Sequence, residues 1–273
     1  MKNKPTRLRR FDPRRLRRTV LEMAYAGSTV HIACAFSIVE ILAVLYRSHL
    51  ELGNGDPHCP KRDYLVLSKG HGVMAQYACL RELGWLTDQD IRAYFSDGTP
   101  LKGLADAHVT GIEVSSGSLG HGLSVGVGLA LAAQREGSGQ RCFVIVGDGE
   151  MNEGSIWEAL LFACHFGLSN LLVIVDENGY QAMGPTQEVM RLGRIADKLA
   201  AFGYETLEVD GHEEAALDLA IGRLMQSQRA GPKALVAQTV KGKGVSFMEG
   251  DNRWHYTRLS ADTYAAGMAE LAN

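Results

Sequence analysis

The stretch VIVGDGEMNEG, residues 144–154, decides the fold class. It is a run of apolar β-formers that ends on Gly-Asp-Gly, with Asp148 at the centre. A second run of the same kind, LLVIVDENGY at 171–180, follows after one helical segment. Buried strands that alternate with helices are typical of a parallel sheet covered by helices on both faces. The stretch therefore predicts an α/β fold in which polar residues follow the strand ends.

The same alternation extends outward along the chain. The predicted strands are 64–68, 143–148, 171–178, 205–211 and 234–240. The predicted helices are 12–26, 36–49, 70–83, 118–135, 155–167, 192–202 and 213–229. The chain contains no repeat, low-complexity segment or clear linker. We therefore expect one domain over 1–273, a parallel sheet with helices on both faces and a helical N-terminal extension.

Composition excludes several functional classes. The 273 residues are 46% hydrophobic, which is enough for a full core, and the formal net charge of −3 argues against a general nucleic-acid binder. No apolar run approaches the roughly 20 residues that a membrane helix needs. The basic start MKNKPTRLRRFDPRRLRR lacks the apolar region of a secretory signal. It reads best as a solvated first helix, with a transit peptide or an RNA-binding arm as alternatives.

Cysteine usage indicates the compartment. The five cysteines form an odd number without a CxxC pair, and three of them lie in apolar segments. This pattern suits buried free thiols in a reducing compartment, so we expect a cytoplasmic protein without a zinc site.

The carboxylate of Asp148 predicts a metal site. Asn178 lies thirty positions later, one strand–helix–strand unit along, so that neighbouring strand ends bring the two side chains together. A carboxylate, an amide oxygen and a backbone carbonyl suit Mg²⁺, which shares its sites with phosphates. Gly147 and Gly149 permit close approach of a phosphate, and a helix beginning near Gly154 adds its dipole. The alternative is a simple turn in which Asp148 caps a helix.

Four blocks in order carry a family resemblance. The stretch GDGEMNEGSIWEALLFACHFGLSNLLVIVDENGYQ resembles the thiamine diphosphate motif of transketolases, in the form of an N-terminal subunit. The other blocks are LSKGH (67–71), GIEVSSGSLGHGLSVGVGLALA (111–132) and VKGKGVSFMEGDNRWH (240–255). The chain is identified as a member of this family over nearly its whole length.

The resemblance implies a set of site residues. It implies metal ligation by Asp148, Asn178 and the carbonyl oxygen of Tyr180, for Mg²⁺ or for Ca²⁺ or Mn²⁺. It implies contacts with thiamine diphosphate from His71, Gly117, Leu119, Gly149, Glu150, Asn178, Ala182, Lys241 and His255. It implies catalytic roles for His31, His71, His255 and Glu153.

Each of these residues has an ordinary alternative. A histidine is often partly buried without a functional role. Glu153 and Glu158 can be first-turn acids that stabilise a helix. The resemblance instead places Glu153 where two subunits meet, in a carboxylate network that joins two cofactor sites.

The resemblance also implies an incomplete enzyme. Transketolases transfer a two-carbon ketol unit from a ketose to an aldose, and they need a pyrimidine-binding domain and a C-terminal domain that we do not find in this sequence. We expect these on a separate C-terminal subunit, in an α₂β₂ heterotetramer that acts on a sugar or sugar phosphate, with neither nucleic acid nor membrane as partner. The glycine-rich segment 112–132 is a candidate for the dimer contact.

Three departures from the family pattern fall near the expected substrate funnel. Leu104-Ala105 stands where a His-Pro pair is usual, residues 33–34 are Ala-Cys where Gly-Gly is common, and Tyr256 replaces a glycine. A lost imidazole removes a hydrogen bond worth about 1–3 kcal/mol if the group is buried. His108 is a candidate replacement. These changes predict a specialised donor, such as an unusual sugar or a 2-oxo acid, rather than an ordinary pentose-pathway ketose phosphate.

Two other functions compete with this interpretation. The α-subunit of a 2-oxo acid decarboxylating complex shares the metal motif but lacks the SKGH and VKGKGVSF blocks. A non-catalytic scaffold subunit would retain the fold, and Leu104 favours it mildly, whereas the intact Asp148, Asn178, His71 and His255 oppose it.

Overall fold

The structure is a computed structural model that describes residues 11–272. The first ten residues of the predicted domain, and with them most of the basic start, lie outside the described residues. The strands are β1 Tyr64–Leu67, β2 Cys142–Gly147, β3 Leu171–Glu177, β4 Glu205–Asp210 and β5 Lys233–Gln238. The α-helices are α1 Pro13–Ala26, α2 Ile32–Phe36, α3 Val39–Val44, α4 Val73–Leu83, α5 Asp88–Arg92, α6 His121–Glu136, α7 Gly154–His165, α8 Thr186–Val189, α9 Ile195–Ala201, α10 Glu214–Gln226 and α11 Ala261–Glu270.

The five strands form one sheet in the order β1-β2-β3-β5-β4, and all four strand pairs are parallel. All five carboxyl ends therefore lie at the same edge. Gly147, the last residue of β2, is paired with Asp176 of β3. This register brings the turn after β2 beside the loop after β3, as the sequence predicts.

Helices cover both faces of the sheet. Along β2, Phe143 and Ile145 join a core with α1, α2, α3, α4 and α10, whereas Val144 and Val146 join a second core with α6, α7 and α9. Alternate residues of a strand point to opposite faces, so a strand that is buried on both faces is apolar throughout. The predicted parallel sheet with helices on both faces is confirmed, and the helices before β1 form part of one covering layer.

The predicted helix 36–49 is divided in the structure. Phe36 is the last residue of α2, which begins at Ile32. A separate helix, α3, covers Val39–Val44, and a π-helical turn follows over Leu45–His49. Ser37 lies at the break, where its hydroxyl is within hydrogen-bond distance of the carbonyl oxygen of Cys34, at 3.1 Å, and of the carboxylate of Asp176, at 2.8 Å. These side-chain bonds compete with a continuous helix.

The glycines of α6 serve the contact between the helix and the sheet. A Cβ on Gly126 would lie 2.4 Å from Val144, and one on Gly122 would lie 2.6 Å from the Cα of Ser68. Both glycines therefore let α6 pack closely on the sheet within the chain, and a dimer contact of the segment 112–132 stays a prediction. Gly128 lies on the open side of the helix.

Candidate functional site

The turn after β2 places a buried carboxylate at the carboxyl edge of the sheet. Asp148 is 3% exposed; its Oδ1 accepts a hydrogen bond from Gly149 N and its Oδ2 accepts one from Gly179 N, each at 2.8 Å. Within residues 11–272 no lysine or arginine side chain hydrogen-bonds this carboxylate. Burial, followed by the charge of Asp176, raises the pKa of Asp148 to about 7. A bound cation would relieve the cost of the buried negative charge.

The loop after β3 presents Asn178 and Tyr180 beside this carboxylate. Asn178 Nδ2 donates to Asp176 Oδ2 at 2.9 Å, and its Oδ1 accepts from Tyr180 N at 3.1 Å. Tyr180 pairs with Pro185 in an isolated antiparallel bridge. An amide oxygen has two lone pairs, so Asn178 Oδ1 retains one for a further ligand.

The described part of the chain contains no group of three or more His, Cys, Asp or Glu side chains arranged to hold a metal ion. A metal at Asp148 would therefore depend on amide and carbonyl oxygens, and on oxygens from a phosphate and from water. Mg²⁺ is commonly bound in this way.

Glu150 joins three segments at the carboxyl edge of the sheet. Its Oε1 accepts from Ser68 Oγ at 2.5 Å and from Gly120 N at 2.9 Å, and its Oε2 accepts from Gly147 N at 3.1 Å. The carboxylate thereby joins the residue after β1, the turn before α6 and the end of β2. These bonds satisfy both oxygens of a side chain whose residue is only 2% exposed.

A cavity of about 450 Å³ lies over this edge of the sheet. All thirteen residues that the sequence analysis assigns to the site line it: His31, His71, Gly117, Leu119, Asp148, Gly149, Glu150, Glu153, Asn178, Tyr180, Ala182, Lys241 and His255. They come from loops that are far apart in the sequence, and the parallel topology brings them together.

Three of these residues form a cluster of imidazoles. The ring centroids of His31, His71 and His255 lie 5.1–5.7 Å apart. His31 has a left-handed backbone with φ 69°, and its N–H donates to the carbonyl oxygen of His255 at 3.0 Å. Such a backbone costs a non-glycine residue about 1–3 kcal/mol and persists where the surroundings impose it.

The cluster is neutral at physiological pH. Burial, followed by the charge of Lys241, lowers the pKa of His31 and lowers that of His255 to about 3. Burial, followed by the charge of Lys69, lowers the pKa of His71 well below its ordinary value. Each neutral imidazole has one N–H donor and one nitrogen acceptor, the combination that proton transfer requires.

Lys241 fixes the orientation of His255. Its ammonium lies 2.9 Å from His255 Nδ1 and 2.6 Å from Asn252 Oδ1. Because a charged lysine is only a donor, His255 Nδ1 is the acceptor and Nε2 carries the proton. Cys34 Sγ also lies 3.3 Å from Nδ1, on the same side of the ring.

Other residues of the site were missed by the sequence analysis. Lys69 and Gln181 line the cavity, as does Cys34, which the sequence analysis noted only as a departure from the family pattern, and Asp176 accepts a hydrogen bond from Asn178. Asp176 is fully buried near the end of β3, and an acid that directly follows the apolar run LLVIV was the available signal. Lys69 lies in the SKGH block, but the sequence pattern assigned it no role.

A second cavity of about 700 Å³ adjoins the first, and both are lined by His31, Leu104 and Gly117. Leu104 is 44% exposed between them. Gly117 has φ 150°, and a Cβ there would lie 2.8 Å from Leu104 Cδ1, so only glycine allows this contact. Leu104 therefore contributes an apolar side chain to a boundary that the imidazole of His31 also lines.

His108 does not replace the missing imidazole. Its side chain is 90% exposed, it bonds Asp106 Oδ1 at 2.7 Å, and it lines neither of these two cavities. The hydrogen bond within the loop turns it toward solvent, so this expectation was wrong.

Apolar side chains are exposed on α6, on α7 and directly after α7. Glu153 is exposed at the N-terminus of α7. Four partly exposed apolar side chains of α6 and α7 form what we call the α6/α7 patch: Val125, Leu161, Phe162 and Phe166, each between 37% and 58% exposed. Within residues 11–272, no helix is long and apolar enough to cross a membrane.

Comparisons with known proteins identify the family of the chain. The family described as transketolase, thiamine diphosphate binding domain, matches residues 14–271. The chain is 37% identical to one of the subunits of the apulose-4-phosphate transketolase of Phocaeicola vulgatus, over 94% of this chain and 91% of that protein. It is also 37% identical to 6-deoxy-6-sulfo-D-fructose transketolase subunit SqwG of Clostridium sp., over 94% and 93%.

Solved structures share the fold. The transketolase of Leishmania mexicana superposes with a TM-score of 0.87 at 29% identity, covering 96% of this chain and 41% of that one. The transketolase of Campylobacter jejuni has a TM-score of 0.88 at 23% identity, over 99% and 43%. The chain thus spans about two-fifths of the length of these solved proteins.

Proposed function

Because the chain belongs to the transketolase family, whose thiamine diphosphate binding domain it matches, we propose that it is the N-terminal subunit of a two-component transketolase. The reaction is thiamine-diphosphate-dependent transfer of a two-carbon ketol unit from a ketose donor to an aldose acceptor, so the protein is a transferase. The observation that carries the proposal is the cavity that gathers all thirteen predicted site residues.

The metal site of the proposal is built on Asp148. Its buried carboxylate lacks a cationic hydrogen-bond partner among the described residues and has a pKa of about 7, so a divalent cation supplies the missing charge. Asn178 Oδ1 and the carbonyl oxygen of Tyr180 complete the protein ligands. The hard oxygen set suits Mg²⁺, with Ca²⁺ or Mn²⁺ as substitutes.

The cofactor lies in the same cavity in this proposal. Gly149 gives the diphosphate access to the backbone, and α7 begins nearby at Gly154 with its positive end. The remaining contacts come from His71, Gly117, Leu119, Glu150, Asn178, Ala182, Lys241 and His255. When bound, thiamine diphosphate supplies the nucleophilic carbon and the electron sink of the reaction.

The imidazoles of His31, His71 and His255 donate and accept protons during the reaction. His255 presents Nε2–H as a donor because Lys241 occupies its Nδ1 side. His31 and His71 are neutral, so each can accept a proton from a substrate hydroxyl or donate one to a developing oxyanion. The buried walls limit competition from water.

The partner is a C-terminal transketolase subunit that carries the pyrimidine-binding domain, in an α₂β₂ heterotetramer. The names of relatives support a partner, since two proteins that the chain covers over more than nine-tenths of their length are named as transketolase subunits. The α6/α7 patch offers apolar surface for the assembly, and the exposure of Glu153 beside it supports a role at the contact between subunits.

The substrate is a sugar or sugar phosphate from a specialised pathway. At the boundary between the cavities, the side chain of Leu104 offers no hydrogen-bonding group to a substrate hydroxyl. Relatives named for apulose 4-phosphate and for a sulfo-sugar support an unusual substrate. A cytoplasmic location is supported by the five free thiols.

A binding and turnover experiment tests the proposal. The chain is purified with its co-encoded candidate partner and titrated with thiamine diphosphate with and without Mg²⁺. We expect binding that requires Mg²⁺, and ketol transfer by the pair. Release of labelled carbon dioxide from pyruvate would favour the 2-oxo acid alternative, and absence of cofactor binding would favour the scaffold.

A further inference from the structure

A single buried acidic residue, Asp176, contacts both Asp148 and Asn178, the two residues whose side chains are proposed to hold the metal. The backbone carbonyl of Asp176 accepts a hydrogen bond from Asp148 N at 3.1 Å, and its Oδ2 accepts one from Asn178 Nδ2 at 2.9 Å. Asp176 itself is fully buried and does not line the cavity. It therefore contacts both proposed ligands from beneath without facing the cofactor.

Both oxygens of the Asp176 carboxylate accept hydrogen bonds. Oδ2 also accepts from Ser37 Oγ at 2.8 Å and from the ammonium of Lys69, and Oδ1 accepts from Thr239 Oγ1. Donors from the break between α2 and α3 and from the segments that follow β1 and β5 thus fix the plane of a side chain on β3. A carboxylate held in this way provides a rigid acceptor.

The contact with Asp176 decides which end of the Asn178 amide faces the cavity. An asparagine side chain can rotate by half a turn and exchange its oxygen with its nitrogen. A rotated Asn178 would bring its oxygen against the Asp176 carboxylate, and two acceptors would repel each other. The observed orientation instead leaves Oδ1 on the side of Tyr180 N, in the loop that follows β3.

We propose that Asp176 is a positioning residue of the metal site: it fixes the amide of Asn178 so that Oδ1 is permanently available to the cation. The inference rests on the proposed metal site. Lys69 neutralises the charge of the buried Asp176 carboxylate, because an unpaired charge at this depth would be strongly destabilising.

The test compares substitutions at position 176 in the assembled complex by the affinity for Mn²⁺, measured by electron paramagnetic resonance. Asp176→Asn keeps an oxygen that accepts from Asn178 Nδ2, so we expect affinity within about threefold of the wild type. Asp176→Leu removes the acceptor, and affinity falls at least about tenfold. Ser37→Ala is the matched control, since it removes a neighbouring bond to the same oxygen and leaves Asn178 in place.

Different results separate the possible failures. Unchanged affinity in Asp176→Leu would overturn the inference, and so would an equal loss in the leucine and asparagine variants, because the charge would then matter rather than the orientation. A wild-type complex that binds no Mn²⁺ would overturn the proposed metal site and this inference with it. If Asp176→Leu does not fold, Asp176→Leu and Asp176→Asn are compared with each other in the Lys69→Met background, where neither variant leaves a buried charge unpaired.

Discussion

Asp148 and Gly179 join the ends of two neighbouring strands, because Asp148 Oδ2 accepts a hydrogen bond from Gly179 N at 2.8 Å. The contact holds the loop that carries Asn178 and Tyr180 against the turn after β2. The proposed ligands are therefore preassembled at the edge of the sheet. Only the cation and the oxygens of its other ligands have to bind to complete the proposed metal site.

The first prediction concerns the charge of Asp148. Asp148→Asn keeps the size of the side chain and removes the negative charge that a divalent cation would neutralise, so binding of thiamine diphosphate in the presence of Mg²⁺ should weaken at least about tenfold. Calorimetric titration of the assembled complex measures this. Asp197→Asn, at a side chain 69% exposed, is the control and should bind as the wild type does. Equal affinity in both variants would refute the assignment.

The second prediction concerns the orientation of His255. Lys241→Met removes the donor to Nδ1, so that the ring is free to rotate and to change its tautomer. We expect kcat to fall about 10–100-fold at saturating cofactor, less than the full general acid–base effect of about 10²–10⁴-fold because the imidazole itself remains. Lys243→Met, two residues away and partly exposed, should leave kcat unchanged. Similar rates for the two variants would mean that Lys241 has no part in catalysis.

The third prediction concerns the boundary between the two cavities. Leu104→His supplies an imidazole where the family pattern has one, and it should raise kcat/KM for xylulose 5-phosphate by about 10-fold, the worth of one hydrogen bond. Leu104→Met, which keeps the boundary apolar, is the matched control. If the wild-type complex already uses this donor with the efficiency of an ordinary transketolase, the specialised-substrate proposal fails.

The fourth prediction concerns acid stability. Glu40 accepts hydrogen bonds from Arg17 and His212. Burial opposes its ionisation, but hydrogen bonds from His212 and then Arg17 prevail and lower the pKa of Glu40 from 4.5 to about 2. The folded pKa lies below the unfolded one, so this contribution is complete above about pH 4.5 and disappears as the pH falls toward 2. It amounts to on the order of 3 kcal/mol.

The measurement is the free energy of unfolding of the wild type and of Glu40→Gln between about pH 6 and pH 3, a range that covers the first part of the loss of this contribution. We expect the wild type to be more stable at the upper end and the difference to shrink as the pH falls. A difference that stays constant over this range would show that the ionisation of Glu40 does not contribute.

The fifth prediction concerns assembly through the α6/α7 patch. Leu161→Asp places a charge in the patch and should shift the complex toward smaller species in sedimentation velocity, since burying an unpaired charge at an interface is costly. Leu219→Asp alters a side chain that is 75% exposed on α10, outside the patch, and should not change the sedimentation. Intact assembly of Leu161→Asp would exclude the patch from the interface.

The regular parts of this molecule could be predicted from the sequence because their signals are local. Apolar runs such as 143–148 and 171–178 indicated the strands, and the chain order of a parallel sheet brought Asp148 beside Asn178. The Asp176–Lys69 pair could not be found in this way, since their contact spans a sequence separation of 107 residues. The expectation for His108 was wrong for a different reason, because the direction of its side chain depends on a hydrogen bond inside one loop.

The most direct test of the account is a titration of thiamine diphosphate into the chain alone and into the chain with its partner, each with and without Mg²⁺. We expect tight binding only when partner and metal are both present, because the partner supplies the other half of the site and Asp148 requires the cation. Binding by the assembled pair that is independent of the metal, or no binding at all, would contradict it.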